Sequence, residues 1–566
     1  MDSLHVPTDF IVECLDCGKS SSYSAASPAC PACGSLWREA RYDYPGLGRT
    51  LPAALKDRAF NLWRYRELLP VYRPIHDLSL GEGGTPLIRA VNLGLMLGSS
   101  NIFIKDERQG PTASFKDRQA AVTVAALKEA GIQEFVIAST GNVAISYSAY
   151  AARAGIKLWA FLTSLVPAAK MREVAIYGTS VIKITGSYDQ AKQVAAEYAR
   201  HRGLSQDMGA RTIPSIEAMK TIAFEIVEQL TTLLGPLENT ELVNPPHWRV
   251  PDWYIQSISG GMGPIGVLKG FDELIQMGWT ETMPRVAAIQ AEGCAPMVHA
   301  WKQGQDQAVP VRSPRTLIAT LATGDPGRTY THLRQKMLSA SGGVMESVSD
   351  EEAYRAMHYL AKMEGLSVEP ATAVAFAGMV KLFRAGVIKP HEIVVINCTG
   401  HTMPIERNIL GEGWSRDIQL PSQDAQEGNE EGLLAALSKI ATDRFPRIAI
   451  VDDNPDVRRL IRRILQSQGS YTLFEASNGI DALELVRNEH PNLVILDMMM
   501  PEMDGFTVLD ELRKSPETAE IPVIVVTAKE LTVDEKERMR GQIQSLMQKG
   551  DFMSDDLLDE VRALLG

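Results

Sequence analysis

The lysine at position 116 is the residue of this chain best placed for covalent chemistry. It follows the polar, Gly/Pro-led run Gly110–Phe115 and precedes a long alanine-rich stretch. Lysine is one of the few side chains that attack an aldehyde, and burial lowers its pKa so that the neutral amine becomes available. A lysine before a helix is often only a solvated cation, so its meaning depends on the motifs around it.

A second motif, the run Ser139–Asn142 (Ser-Thr-Gly-Asn), follows an apolar run at 135–138 and precedes a predicted helix over 143–154. A strand–loop–helix junction of this kind brings small polar groups to the carboxyl end of a sheet, where α/β proteins bind ligands. The alternative role for the same residues is an Asx-type helix cap.

A third motif is glycine-rich: residues 259–263 read Ser-Gly-Gly-Met-Gly, after an apolar run at 253–255. Glycines allow backbone N–H groups to converge on phosphate oxygens, and a following helix presents its positive end to the anion. By itself such a loop is more often a simple turn.

The fourth motif is the apolar run 393–398, which is typical of a buried parallel strand and leads into the hydroxyl residue Thr399. A hydroxyl at the end of such a strand lies at the ligand-binding edge of the sheet. Four motifs of this kind, in this order along the chain, indicate a single α/β site.

These motifs resemble those of fold-type II pyridoxal-phosphate (PLP) enzymes, most closely the threonine synthases. The resemblance covers roughly Glu13 to Pro404 and implies two α/β lobes with the active site between them. It implies that Lys116 is the catalytic lysine and holds PLP, that Asn142 bonds the phenolic oxygen of the cofactor, and that the hydroxyl of Thr399 meets its pyridine nitrogen. The loop of Ser259, Gly260, Gly261, Met262 and Gly263 would hold the phosphate. A neutral partner for the pyridine nitrogen is expected to favour elimination and replacement over transamination.

The same resemblance gives substrate-binding roles to Ser139, Thr140 and Lys220. The family run that is thought to receive phosphohomoserine carries an arginine, whereas this chain has Ser215, and loss of a bidentate anion partner is not a conservative change. Arg211 is a nearby cation that the sequence does not place. We therefore keep two interpretations: threonine synthase-like conversion of phosphohomoserine to threonine and phosphate, or a cysteate synthase-like or threonine/serine dehydratase-like reaction.

Length and composition limit the number of domains and the classes of partner. A chain of 566 residues with 45% hydrophobic residues predicts three or four globular domains. A net charge of −12 argues against nucleic-acid binding. No apolar run approaches the roughly 18 residues that span a bilayer, and the first residues lack the pattern of a secretory signal. We expect a cytoplasmic protein without membrane or nucleic-acid partners.

Four of the six cysteines form a Cys-x2-Cys-x12-Cys-x2-Cys pattern at Cys14, Cys17, Cys30 and Cys33. Two such pairs can supply four thiolates to a tetrahedral Zn²⁺, and so short a segment needs a metal in order to fold. The spacing predicts a structural zinc ribbon over residues 1–45; a redox pair or a disulfide is the alternative. Many threonine synthases begin with a similar module.

The carboxyl-terminal part carries separate chemistry. After a polar, acidic linker and a connector helix (418–446), three short apolar runs at 448–451, 493–496 and 523–526 predict parallel strands. They lead into Asp452 and Asp453, into Asp497, and into Thr527; Lys549 follows a weaker strand. Carboxylates that converge at a sheet edge bind a hard cation such as Mg²⁺, and Asp497 could then accept a phosphoryl group.

This pattern resembles response-regulator receiver domains over residues 447–566, which implies a flavodoxin-like (βα)5 fold. The resemblance makes Asp497 the phosphoacceptor, assigns Mg²⁺ to Asp452, Asp453, Asp497 and Met499, and gives supporting roles to Thr527 and Lys549. Leu546 and Gly550 depart from the usual aromatic residue and proline, which puts the aromatic switch of the family in doubt.

The sequence therefore predicts an α/β protein with a zinc ribbon (1–45), a PLP-dependent catalytic domain (46–417), a linker (418–446) and a receiver domain (447–566). The expected partners are a small amino-acid substrate, a sensor histidine kinase or phosphotransfer protein, and a second copy in a homodimer. In the first hypothesis, phosphorylation of the receiver sets the turnover of a PLP-dependent lyase; in the second, the PLP fold is a non-catalytic signalling scaffold.

Overall fold

A computed structural model describes residues 10–72, 76–139, 141–163, 166, 168–235, 248–401, 445–468, 471–528, 531–549 and 556–565. The predicted connector helix, Thr140 and Gly550 lie outside these ranges. The chain divides into two compact units: the first comprises Met1–Ala90, Asn101–Met357 and Ser367–Pro404, and the second comprises Val91–Ser100, His358–Leu366 and Ile405–Gly566.

The described strands are β1 (Phe10–Cys14), β2 (Ser20–Ser21), β3 (Arg38–Tyr42), β4 (Leu87–Arg89), β5 (Ile102–Asp106), β6 (Glu134–Ser139), β7 (Lys157–Thr163), β8 (Ser180–Ile184), β9 (Ser205–Gln206), β10 (Trp253–Ser257), β11 (Arg285–Ala291), β12 (Gly343–Val348), β13 (Val394–Cys398), β14 (Arg447–Val451), β15 (Thr472–Ala476), β16 (Leu493–Leu496), β17 (Val523–Thr527) and β18 (Ser545–Gln548).

The described α-helices are α1 (Tyr44–Leu55), α2 (Val91–Leu97), α3 (Lys116–Glu129), α4 (Asn142–Ala154), α5 (Ala168–Ile176), α6 (Tyr188–Arg202), α7 (Ile213–Leu234), α8 (Met262–Gln276), α9 (Pro296–Lys302), α10 (Arg328–Ser339), α11 (Asp350–Tyr359), α12 (Pro370–Arg384), α13 (Pro455–Gln468), α14 (Gly479–Glu489), α15 (Gly505–Lys514), α16 (Val533–Arg538) and α17 (Asp556–Leu565).

Three sheets build the first unit. The largest has the strand order β12-β11-β10-β13-β5-β4, in which only β4 and β5 pair antiparallel; the second, β8-β7-β6-β9, is wholly parallel. A small antiparallel sheet, β2-β1-β3, holds the cysteine-rich segment. The expected two α/β sheets with a small module before them are confirmed.

The central strands of the large sheet are buried along their whole length, as in β10, β13 and β5. Parallel strands with helices on both faces read as continuous apolar runs, which is why the sequence indicated β10 and β13. The core of this unit continues into helices α7 and α8, which pack against each other with small residues at the contact: a Cβ on Gly270 would lie 2.5 Å from the Lys220 carbonyl oxygen.

The receiver part of the second unit is a five-stranded sheet of order β15-β14-β16-β17-β18, in which every pair is parallel. Its core is formed by the apolar runs of β14, β16 and β17, all buried. The predicted (βα)5 fold is confirmed. Across the described ranges, the helices are too short or too polar for any of them to span a bilayer.

Candidate active site

Lys116 is the first residue of α3, and the loop before it is tied to the end of β13. The backbone N–H of Phe115 donates to the Thr399 carbonyl (3.1 Å), and that of His401 donates to the Ala113 carbonyl (3.1 Å). Within the loop, the Asp117 carboxylate accepts from the Thr112 N–H at 2.8 Å. Two predicted motifs that are almost 300 residues apart are therefore held side by side by main-chain hydrogen bonds.

Buried ion pairs fix the start of α3. Arg118 Nη2 lies 2.8 Å from Glu107 Oε1, and Arg118 Nη1 lies 2.6 Å from Glu225 Oε1 on α7. Lys105 Nζ reaches the other oxygen of Glu225 at 2.7 Å. Because removing one partner would leave a buried charge uncompensated, these pairs strongly oppose any shift of α3.

A cavity of about 600 Å³ opens beside Lys116. The predicted site residues that line it are Lys116, Ser259, Gly260, Gly261, Met262, Gly263 and Thr399. The lining also includes residues that sequence reasoning did not select, among them Trp37, Gln119, Asp207, Arg328 and Glu369. The structure thus brings the lysine, the glycine loop and the end of β13 to one cavity.

Burial is the main influence on Lys116. It lowers the pKa of the ammonium group to about 8, against the opposing effect of the Asp207 and Glu369 carboxylates. Nζ lies 4.3 Å from the centre of the Phe115 ring. A lysine with this pKa presents a substantial neutral fraction near neutral pH, as a nucleophilic amine requires.

The glycine loop gives an open backbone at the N-terminus of α8. Gly261 has a φ of +82°, in the left-handed region that favours glycine. A Cβ on Gly263 would lie 2.3 Å from Nε2 of Gln256, whereas Gly260 faces open space. The glycine backbone and the positive end of a 15-residue helix fit a phosphate group at this edge of the cavity.

Thr399 follows β13 and is buried; its Oγ1 lies 2.8 Å from Oγ1 of Thr372, and it lines the cavity. Each hydroxyl can donate to one partner and accept from another. This pair fits a neutral hydrogen-bonding contact for a ring nitrogen, as predicted for Thr399.

Asn142 lies between two charged side chains that the sequence did not indicate. Its Nδ2 donates to both carboxylate oxygens of Glu369, at 2.9 and 3.0 Å, and its Oδ1 accepts from Nζ of Lys170. A cation at one end and an anion at the other permit only one orientation of the amide. Glu369 also lines the cavity, so Asn142 adjoins it with its donor end fixed.

Two predicted substrate contacts lie away from the cavity lining. Ser139 Oγ accepts from the N–H groups of Gly141 (3.0 Å) and Ala144 (3.1 Å), which is the helix-cap role. Lys220 is fully buried; its Nζ lies 2.5 Å from Glu217 Oε2 and 2.8 Å from Glu273 Oε2. Lys220 thus belongs to a core ion network between α7 and α8.

One wall of the cavity is built around Asp207. Its Oδ2 accepts from Gln119 Nε2 at 3.0 Å, and its Oδ1 accepts from Ser215 Oγ at 3.1 Å. Ser215, where the resemblance expects an arginine, is buried and also contacts Thr123 (3.2 Å) and Tyr147 (3.3 Å). Ser215 thus belongs to a buried hydrogen-bonded network at the position where the resemblance expects a cation.

The four N-terminal cysteines form one cluster. The Sγ atoms of Cys14 and Cys33 are 3.5 Å apart, those of Cys17 and Cys30 are 3.8 Å apart, and all four lie within 4.8 Å of one another. Zn–S bonds of about 2.3 Å in a tetrahedron place sulfurs roughly 3.8 Å apart, so the cluster fits Zn²⁺.

The cysteine-rich segment also reaches the cavity. Trp37, just before β3, lines it, and the guanidinium of Arg328 lies 5.1 Å from the centre of the Trp37 ring. Arg328 Nη2 is 2.5 Å from Oδ1 of Asp16, between the first two cysteines. The cysteine-rich segment therefore supplies part of the cavity wall through Trp37.

In the receiver, Asp452 and Asp497 meet at the carboxyl ends of β14 and β16. Lys549 Nζ lies 2.7 Å from an oxygen of each. Asp453 contributes a third carboxylate within 4.8 Å, and Asp497 Oδ1 is buried without a hydrogen-bond partner in the described part of the chain. An acceptor oxygen of this kind, in a cluster of three carboxylates, fits Mg²⁺.

The other predicted receiver residues differ in burial. Thr527 is the last residue of β17 and is buried, whereas Met499 and Leu546 are exposed. Leu546 lies on β18. The strand ends thus carry the predicted acid, hydroxyl and lysine positions.

Residues 78–400, more than half of the chain, match the family model described as pyridoxal-phosphate dependent enzyme. Residues 448–562 match the response regulator receiver domain. Both matches agree with the two sites built above from the strand ends.

Similar proteins include the threonine synthase of Methanocaldococcus jannaschii, which is 34% identical over 390 residues, 69% of this chain and 91% of that protein. The threonine synthase of Methanosarcina acetivorans is 32% identical over 400 residues, 70% of this chain and 93% of that protein. The chain therefore belongs to the pyridoxal-phosphate-dependent enzymes of the threonine synthase family and carries a receiver domain in addition.

Proposed function

We propose that this enzyme converts phosphohomoserine to threonine and phosphate. The observation that carries the proposal is the cavity itself: a buried lysine with a lowered pKa, an open glycine loop and a buried hydroxyl share one space of about 600 Å³. The similarity to two threonine synthases over more than 90% of their length supports this choice of reaction.

Bound PLP would supply an electron sink for the pair of electrons left when the Cα–H bond breaks. Lys116 would hold the cofactor and, once released, take the Cα proton on Nζ as general base. The loop Ser259–Gly263 would bind the phosphate of the cofactor, and Thr399 would bind its ring nitrogen. Asn142 would bind the phenolic oxygen by exchanging one of its hydrogen bonds to Glu369 for a bond to the cofactor. Trp37 would form part of the wall around the bound cofactor and substrate.

The test is a substrate screen on purified protein loaded with PLP. Phosphohomoserine, phosphoserine, threonine and serine are compared for release of phosphate or keto acid. Threonine formed from phosphohomoserine, and lost in Lys116→Ala, would support the proposal. No turnover of any of the four by a protein that retains bound PLP would contradict it and favour the signalling scaffold.

Ser215 favours a second candidate. Ser215 stands where the resemblance expects the arginine that is associated with phosphohomoserine. Its side chain is held in a buried hydrogen-bonded network instead. A β-replacement or elimination on phosphoserine, or dehydration of threonine or serine, uses the same Lys116 chemistry with a different leaving group. Keto-acid release from serine or threonine, without threonine formation, would identify this candidate in the same screen.

For the receiver, we propose that Asp497 accepts a phosphoryl group from a sensor histidine kinase or phosphotransfer protein and that this sets the turnover of the enzyme. The cluster of Asp452, Asp453 and Asp497 would hold Mg²⁺ together with Met499, and Thr527 and Lys549 would contact the phosphoryl oxygens. Turnover is measured with and without acetyl phosphate in wild type and Asp497→Ala; equal rates in all four conditions would contradict coupling.

We further propose that the cysteine cluster binds a structural Zn²⁺, which suits a reducing cytoplasm. One zinc per chain by metal analysis, lost in Cys14→Ser together with a fall in the thermal midpoint, is the expected result. A wild-type protein that is folded and metal-free would contradict it.

A further inference from the structure

Four cationic side chains line the 600 Å³ cavity: Lys116, Lys192, Arg211 and Arg328. Two of them are neutralised, because Lys192 Nζ lies 2.6 Å from Asp189 Oδ1 and Arg328 pairs with Asp16. Lys116 is reserved for the cofactor by the proposed function. Within the described ranges, no carboxylate makes an ion pair with Arg211, so its charge is available to a ligand.

The backbone that carries Arg211 is held in place. The Met208 N–H donates to Thr212 Oγ1 at 2.8 Å, and the Thr212 N–H donates to the Gly209 carbonyl at 2.8 Å, closing a tight turn before α7. The Arg211 side chain itself is exposed. Because the backbone of Arg211 is fixed while its long side chain is exposed at the cavity surface, the guanidinium is suited to move onto a bound ligand.

Asp207, the acid nearest in sequence, is engaged elsewhere. Its oxygens accept from Gln119 Nε2 (3.0 Å), Ser215 Oγ (3.1 Å) and the Gly209 N–H (3.2 Å). These three neutral donors satisfy the carboxylate. Arg211 is therefore the cation of this wall that can bind an anion in addition to the phosphate of the cofactor.

The proposed function places the phosphate of the cofactor at the glycine loop, at the N-terminus of α8. A second anion in the cavity must then belong to the substrate. We propose that Arg211 binds the anionic group on the side chain of the substrate, a phosphate ester or a carboxylate, through the planar fork of its guanidinium. This assignment rests on the proposed function and names the substrate class for it.

The first experiment compares Arg211→Gln and Arg211→Lys with Arg200→Gln as matched control, all loaded with PLP. Arg200 lines only the neighbouring cavity of about 350 Å³ and pairs with Glu197, whereas Arg211 lines both cavities. We expect Arg211→Gln to raise KM for phosphohomoserine or phosphoserine about 10- to 100-fold, as for a lost charge-assisted hydrogen bond. KM for serine and threonine should stay unchanged, and Arg211→Lys should recover part of the loss.

The second experiment does not depend on turnover. Binding of inorganic phosphate and of succinate to the PLP-loaded proteins is measured by calorimetry, with cofactor absorbance and thermal midpoint as checks of folding. Arg211-dependent binding of phosphate indicates a phosphate ester, and Arg211-dependent binding of succinate indicates a carboxylate.

The outcomes separate the two proposals. If no phosphorylated amino acid is turned over but phosphate binding still depends on Arg211, the proposed reaction fails and the anion site stands. If Arg211→Gln matches Arg200→Gln in KM and in binding of both anions, or if wild type binds neither anion, the assignment of Arg211 is overturned.

Discussion

The surroundings of two lysines, Lys116 and Lys549, shift the pKa of their ammonium groups in opposite directions. Burial lowers the pKa of Lys116 to about 8, and no described carboxylate makes an ion pair with it. Burial also acts on Lys549, but its hydrogen bonds to Asp452 and Asp497, both at 2.7 Å, outweigh it and raise the pKa. Lys116 is thus suited to be a nucleophile and Lys549 to be a permanent cation.

The difference shows that the distance to carboxylates, rather than burial alone, decides which role a lysine takes. Asp207 and Glu369 line the same cavity as Lys116, but each is held by other donors: Gln119 and Ser215 for Asp207, and Asn142 for Glu369. A carboxylate moved toward Lys116 should raise the pKa of Lys116, and a carboxylate moved away from Lys549 should lower the pKa of Lys549.

The largest expected effect comes from removing the nucleophile. Lys116→Ala should lose covalent cofactor and reduce turnover by about 10²- to 10⁴-fold, because it also removes the general base. Borohydride treatment followed by mass spectrometry detects the covalent adduct. Lys116→Arg keeps the cation as a matched control, and cofactor still attached to a single site in Lys116→Ala would contradict the role.

Asp497→Asn tests the receiver side of the comparison. We expect acetyl phosphate with Mg²⁺ to label wild type but not the variant, because the amide is a poor nucleophile toward phosphorus. Phosphate-affinity electrophoresis measures the labelled fraction. Asp504→Asn, at the N-cap of α15, is the control with an equal change of charge; equal labelling of wild type and Asp497→Asn would place the acceptor elsewhere.

The two lysines should also differ in their response to pH. Raising the pH from 6 to 8 increases the neutral fraction of Lys116 about 50-fold for a pKa of about 8, so the rate of PLP capture by cofactor-free protein should rise accordingly and level off above pH 8. Stopped-flow absorbance measures this rate. A flat profile between pH 6 and 8 would show that desolvation does not control this amine.

Stability provides an independent reading of the same pKa. Because burial lowers the pKa of Lys116 from its ordinary value of 10.5 to about 8, the unfolded chain binds more protons at this amine than the folded chain between about pH 8 and 10.5. The free energy of unfolding of cofactor-free protein should therefore rise with pH across this window, relative to Lys116→Met.

The smallest expected effect is at Lys170, which orients Asn142. Lys170→Met should lower kcat about 2- to 10-fold, the value of one hydrogen bond, while PLP remains bound. Lys170→Arg should restore part of the rate. Lys192→Met, at a paired cation of the cavity rim, is the control; an equal loss in both methionine variants would mean that Lys170 acts only through general charge.

Much of the fold and the chief site could be predicted from sequence because function lies at strand ends. Lys116 and the glycine loop stand at the starts of helices, and Thr399 follows a buried apolar strand, so local pattern predicted all three. The contact of Asn142 with Glu369 spans 227 residues, and no local pattern predicts which carboxylate meets which amide. Lys170 was missed for the same reason.

Lys220 illustrates the opposite difficulty. The family resemblance assigns Lys220 a substrate contact, but the charge of Lys220 is balanced by Glu217 one helical turn away and by Glu273, 53 residues further on. Sequence alone does not reveal that two helices bury their charges against each other. Ser215, in contrast, was correctly noted as a departure whose spatial meaning required the neighbouring Asp207.

The place of Trp37 has a practical consequence for how this enzyme is handled. A fragment that begins at the predicted catalytic boundary, residue 46, would lack Trp37 and Asp16, the partner of Arg328. Because Trp37 is part of the cavity wall, that side of the active-site cavity would be exposed to solvent. Recombinant versions meant for kinetics should therefore retain the chain from before Phe10, even where metal binding is of no interest.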